Sequence, residues 1–162
     1  MVLLTISIIL FNFIAYMKNK IPTMNRKVSL WTFTIAFQIS FDVIIEFKYG
    51  GYWYFDKGVD WFGVFAHTIL IPPINILFIS YFPFNHSIIK KVLYITYWTV
   101  GITMYEALTL LPEPLGYFHL GWWKLWFEFI IVPILLLMIL GYYKWISKLE
   151  MIALDINKRS NK

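Results

Sequence analysis

The chain contains no cysteine, which excludes disulfides, thiolate nucleophiles and Cys-ligated metal sites. Charge is scarce as well: 14% of the 162 residues are Asp, Glu, Lys or Arg. Also missing are the HExxH, P-loop, GxSxG, CxxC and GxGxxG patterns, so no recognised catalytic signature supports an enzyme. No basic residue precedes the apolar run that starts at Val2, and no small-residue cleavage pattern follows it at Lys18. That run is therefore read as a span and not as a cleaved signal peptide. There is no internal repeat or low-complexity tract. The net charge of +5 is scattered in ones and twos, which suits the loops of a membrane protein and argues against a nucleic-acid partner.

What is abundant is apolar and aromatic surface. Sixty per cent of the residues are hydrophobic and 21% are Phe, Trp or Tyr, with a mean hydropathy of +0.67. A domain this small cannot bury so much apolar area, so lipid must cover it. The expectation is an all-α fold, a single transmembrane domain over residues 1–162, with five spans at 2–17, 28–47, 61–82, 89–111 and 122–146. Each is near the roughly 17 to 25 residues a spanning helix needs. Kinks are expected at Pro72-Pro73 and at Pro133. Of the 14 basic residues, 11 fall at one end of these spans, from Lys18 and Lys20 to Lys158, Arg159 and Lys162, whereas Lys48, Lys57 and Lys124 fall at the other. The positive-inside rule then places the N-terminus outside and the C-terminus in the cytoplasm of a multi-pass cell-membrane protein. Seven of the nine carboxylates, Asp60 among them, sort to the outer side.

Four titratable side chains fall inside the spans at matching depth. Asp42 lies six residues before Lys48, His67 six after Trp61, Glu106 six before Pro112 and Glu128 six after Trp122. Each sits roughly 9 Å inside its segment at the helical rise, where ionisable groups are expensive and mark function by default. Gln38, Asp42 and Glu46 are spaced by four and form one stripe that reaches Thr34. Asn75 lies two turns deeper than His67. Thr96, Thr99, Thr103 and Glu106 share a face of the fourth span. Two carboxylates one turn apart in a low dielectric hold either a proton or a bridging cation. The cluster Asp42, Glu46, His67, Glu106 and Glu128 matches a divalent-cation site for Mn²⁺, Mg²⁺ or Zn²⁺. Without a metal it would serve as a proton relay or a pocket for a cationic ligand. Blander readings stand beside these: Glu46 reaches the headgroups next to Lys48, and Glu128 pairs with Lys124. The outer connections, Tyr49 to Trp61 and Pro112 to Trp123, are either an aromatic belt with turn residues or a lid over the helix ends.

The strings Tyr52-Trp53-Tyr54-Phe55, Gly58-Val59-Asp60-Trp61, Ile71-Pro72-Pro73, Phe82-Pro83-Phe84, Leu111-Pro112-Glu113-Pro114, Gly121-Trp122-Trp123 and Tyr142-Tyr143-Lys144-Trp145, taken in order, resemble a family of small, uncharacterised multi-span membrane proteins of spore-forming Firmicutes. The resemblance covers about Phe47 to Glu150. It implies a membrane protein of Gram-positive origin and transfers no catalytic residue.

The leading functional expectation is an outer-leaflet pocket of Asp42, Glu46, His67, Glu106 and Glu128 that binds a cation, or a lipid-derived or cationic small molecule, in an envelope-related role. One alternative is a membrane enzyme on an isoprenoid or lipid substrate, with Asp42 or Glu106 as general acid. Another is a structural or assembly subunit, with a homo-oligomer among the assemblies it would form. A transporter fits less well, because five spans provide no inverted repeat.

Overall fold

The computed structural model describes residues 1–58 and 61–160, with side chains to Ile156 in the last helix. Val59, Asp60, Asn161 and Lys162 lie outside the described residues, as do the side chains of Lys158 and Arg159, which were counted in the charge asymmetry.

Five helices follow the five apolar runs. Helix α1 is Val2–Lys18. Helix α2, Met24–Lys48, starts on Thr23, whose Oγ1 accepts the amide of Arg26 at 3.3 Å, the ordinary N-cap for a chain entering a helix. Helix α3 is Trp61–Tyr81, α4 is Ile88–Thr109, and α5 is Glu128–Ser160 behind a single 3-10 turn at Leu125–Phe127. Among the described residues, three helices are long and apolar enough to cross a membrane: α2, α3 and the stretch Leu125–Ile156. Helix α1 has 17 residues, and α4 is diluted by threonine and tyrosine.

Two of these helices widen into π turns, at Val43–Lys48 in α2 and at Ala66–Leu70 in α3. The second stands just before Pro72-Pro73, which have no N–H to offer the carbonyls of Thr68 and Ile69. Asn12 of α1 replaces one missing donor, giving its Nδ2 to Ile69 O at 3.0 Å. The kink expected at these prolines thus takes the form of a widened turn, while α5 continues through Pro133. Helix α5 also departs from its expected bounds at both ends. Gly51 O takes the amides of Gly121 and Trp123 at 2.8 and 3.0 Å, which holds Trp122 and Trp123 in the loop. At the other end no proline or glycine after Gly141 stops the helix before Ser160.

Helix α3 is the buried centre: α1 and α2 pack on it, and α5 lies against α2, α3 and α4. One apolar cluster, around Leu30, Phe78, Ile79, Leu136 and Ile139, fills the half of the bundle near Thr23 and Phe82. A second, around Leu4, Leu70, Tyr52, Phe118 and Trp123, fills the other half. Outward positions such as Ile9, Phe13, Ile39, Val43, Leu137 and Met138 are exposed, an apolar girdle that requires an apolar surrounding. Near the Thr23 end, Arg26 pairs with Glu150 of α5, and Thr23 Oγ1 donates to the same carboxylate at 3.1 Å.

The two aromatic connections meet as a small antiparallel sheet that the sequence did not announce. Strands β1 (Tyr52–Tyr54) and β2 (Phe118–Leu120) pair Tyr52 with Leu120, Trp53 with His119 and Tyr54 with Phe118. Outside the sheet, Phe55 adds an amide bond to Tyr117 O at 2.8 Å. Three residues per strand are too few to make an alternating pattern stand out. Aromatic cross-strand pairs hold them instead, Trp53 stacking on His119 with ring centres 5.7 Å apart.

Candidate functional site

Beneath the sheet, the stripe on α2 meets α3. Asp42 is 2% exposed and Glu46 is also buried, while Ile39 and Val43 on the other side of the helix are exposed. Glu46 therefore does not reach outward beside Lys48. His67, 7% exposed, stands in the π turn of α3 with its Nδ1 3.0 Å from Asp42 Oδ2. Ligand atoms of Asp42, Glu46 and His67 all lie within 4.8 Å of one another. Asp42 also receives the hydroxyl of Tyr52 on Oδ1 and the amide of Gln38 on Oδ2, the latter at 3.3 Å. Burial, reinforced by the charge of Asp42, pushes the Tyr52 hydroxyl well above its ordinary pKa. It stays a neutral donor. The edge of the His67 ring meets Tyr54, with ring centres 4.7 Å apart. Deeper, Asn75 Nδ2 donates to Thr34 Oγ1 at 3.2 Å, carrying the polar contact between the same two helices inward.

The other two carboxyls form a separate pair. Glu106 of α4 and Glu128 at the start of α5 are neighbours, and two carboxyl groups side by side can hydrogen-bond only when a proton lies between them. Glu128 Oε1 accepts the indole N–H of Trp123 at 2.6 Å, and both side chains are buried. The expected partnership of Glu128 with Lys124 is replaced by this one. A direct pairing of Asp42 with Glu106, suggested by their equal depth, gives way as well, because each has its own partners. Tyr52 stands between the groups, its ring 5.8 Å from that of Trp123. On α4, the threonines add little to the site: Thr96 and Thr99 turn back to their own helix carbonyls.

Alongside lies a cavity of about 630 Å³, walled by all five helices and by Tyr54, Tyr117 and Phe118 of the outer connections. Along α4 it runs from Tyr94 to Thr109, about 22 Å at the helical rise, so it is long as well as wide. Its walls are mostly aromatic and aliphatic. Among the described residues Glu106 is the one acid on them, near the outer end, with Gln38, Thr34 and Asn75 as polar neighbours. Tyr97, 72% exposed, and Gly101 border it on the flank of α4, where it reaches the surface. Asp42, Glu46, His67 and Glu128 do not line it. Asp42 and His67 stand behind wall residues, Asp42 bonded to Gln38 and His67 against Tyr54.

No family model, curated protein or solved structure matches this chain, so the reading of the site rests on its geometry. The sequence located all five titratable groups but not the aromatic donors that hold them. Tyr52, Trp123 and the Tyr105–Tyr117 hydroxyl pair, 3.0 Å apart, lie in or beside the connections read as belt or lid. The available signal was an unusual density of N–H- and O–H-bearing aromatics next to buried acids.

Proposed function

We propose that the chain is a five-span membrane protein, N-terminus outside, that binds a lipid-derived ligand: the apolar body in the central cavity, a cationic or hydrogen-bonding head at Glu106. The observation that carries this reading is a long, aromatic-walled cavity of about 630 Å³ with the carboxyl of Glu106 near its outer end. Such a volume lies within the range of small-molecule sites. The border at Tyr97 and Gly101 falls about midway along α4, so a ligand dissolved in the bilayer could enter from the side.

The orientation is tested first. A reporter fused after Lys162 is expected to read cytoplasmic and one after Gly51 external. The reverse pattern would put the acidic groups on the inner face and remove the basis for an outer-leaflet site.

Occupancy is tested at Gly101, where an added Cβ meets nothing within 4 Å although the residue borders the cavity. Gly101→Trp is expected to fold and to block the space. Labelling by a long-chain amine carrying a photoreactive diazirine should fall at least tenfold. Gly141→Trp, also in open space but away from the cavity, should label like the parent chain. Glu106→Gln should weaken the amine about 10- to 100-fold, the size of a lost charged hydrogen bond, while leaving a neutral long-chain alcohol unaffected. Undiminished labelling of Gly101→Trp would dispose of the cavity as a binding site.

A second reading draws on the Glu106–Glu128 contact. A carboxyl that faces an aromatic cavity with a second carboxyl beside it is placed to protonate an isoprenoid double bond while Tyr54, Tyr105 and Trp98 stabilise the resulting cation. Chromatography of the recovered isoprenoid separates the two: an unaltered compound supports binding alone, a new isomer supports catalysis.

A further inference from the structure

We infer that Asp42, Glu46 and His67 form a site for a first-row divalent transition ion, Zn²⁺ or Mn²⁺, that clips α2 to α3 beneath the two-stranded sheet. The site is separate from the cavity and does not depend on what the cavity holds.

Four observations carry it. Ligand atoms of the three residues lie within 4.8 Å of one another, and all three side chains are buried. His67 Nδ1 is buried and makes no hydrogen bond, although Asp42 Oδ2 is only 3.0 Å away. A ring nitrogen that close to a carboxylate oxygen, yet off the line of an N–H···O bond, is placed as a second ligand to a shared centre. Two atoms each about 2.1 Å from one ion stand about 3.0 Å apart when the angle between them is near 90°. Third, the groups on Asp42 are Tyr52, Gln38 and His67, none a fixed cation. A divalent ion supplies the fixed positive charge that none of these groups carries. Fourth, both helices depart from α geometry at the site: Asp42 precedes one π turn, Glu46 lies in it, and His67 lies in the other. Such turns recur at functional positions.

The donor set selects the metal. One imidazole with two carboxylates favours zinc, manganese or a similar ion over Mg²⁺ and Ca²⁺, which prefer all-oxygen shells. Three protein ligands also leave at least one coordination position open. Tyr52 is a positioning residue here. Its hydroxyl occupies Asp42 Oδ1 and leaves Oδ2 turned toward His67, the outer-shell support that tunes affinity.

The purified chain in detergent is stripped with EDTA, incubated separately with Zn²⁺, Mn²⁺, Mg²⁺ or Ca²⁺, desalted, and assayed for metal content and melting temperature. The expected result is about one Zn²⁺ or Mn²⁺ retained per chain and a raised melting temperature, with no effect of Mg²⁺ or Ca²⁺. Asp42→Asn and His67→Gln should abolish retention. Tyr52→Phe, which keeps all three ligands and the ring, should weaken affinity 10- to 100-fold, so a folded variant is at hand should the ligand substitutions unfold the chain. Glu106→Gln should leave metal binding unchanged even where it alters amine labelling. Absence of retained metal in the parent chain overturns the inference. Unchanged affinity in Asp42→Asn, His67→Gln or Tyr52→Phe overturns it equally.

Discussion

Alanine in place of Gly116 is expected to lower stability by on the order of 3 kcal/mol, the upper end for forcing atoms into filled space. A Cβ there would lie 1.5 Å from Leu111 O and 3.1 Å from Thr109 O. Both obstacles are backbone, so the loop must move as a unit. That loop sets the height of β2: Tyr117 donates its amide to Thr109 O at 2.9 Å and accepts the amide of Phe55 at 2.8 Å. Moving it separates the strands and withdraws Tyr52 from Asp42. Thermal melts in detergent should show the loss, and hydrogen exchange at Tyr52 to Phe55 should accelerate. Gly141→Ala, in open space within α5, should instead stabilise by about 0.5 to 1 kcal/mol, the helix-propensity gain. A melting temperature for Gly116→Ala equal to the parent's would refute the account of this loop.

The second large effect is expected at Glu128. Truncation to alanine leaves the buried Trp123 indole N–H without its acceptor and Glu106 without its carboxyl partner. The loss should be roughly 3 kcal/mol, as for breaking a buried polar pair from one side. Trp123→Phe should cost less, about 2 kcal/mol, because it removes the donor along with part of the ring. Glu106→Gln should cost under about 1 kcal/mol, since an amide can still donate to Glu128. The double variant Glu128→Ala with Trp123→Phe should lose little more than Glu128→Ala alone, because the orphaned N–H is gone. Simple additivity would mean that the two side chains act independently, contrary to the 2.6 Å contact.

How far the sequence could be read follows from what depth along a helix conveys. The apolar runs located five helices to within a few residues, apart from the ends of α5. Residue spacing correctly put Asp42 and Glu46 on the face away from Ile39 and Val43. Equal depth identified Asp42, His67, Glu106 and Glu128 as one layer. Depth says nothing about direction around the bundle, however, and there the layer divides: His67 turns to Asp42, while Glu106 turns to Glu128. Nor does spacing foretell that a helix will widen at Val43 or Ala66. At Ala66 the widening goes with the missing amides of Pro72 and Pro73 and with a donor, Asn12, from a helix far away in the chain. The sheet was hidden for a related reason, since its strands are short and their partners are set by where the helices end.

Strands β1 and β2 are separated in the chain by α3, α4 and the loop around Pro112. During synthesis, then, Tyr52 emerges long before Leu120, its partner in the ladder. Closing so wide a loop is entropically costly until the intervening helices have docked. The helices therefore assemble first and the sheet last. Trp123 and its acceptor Glu128 are made later still. A nascent chain halted before Phe118 would hold its acids without their covering strand, and maturation of the pocket is tied to completion of the polypeptide.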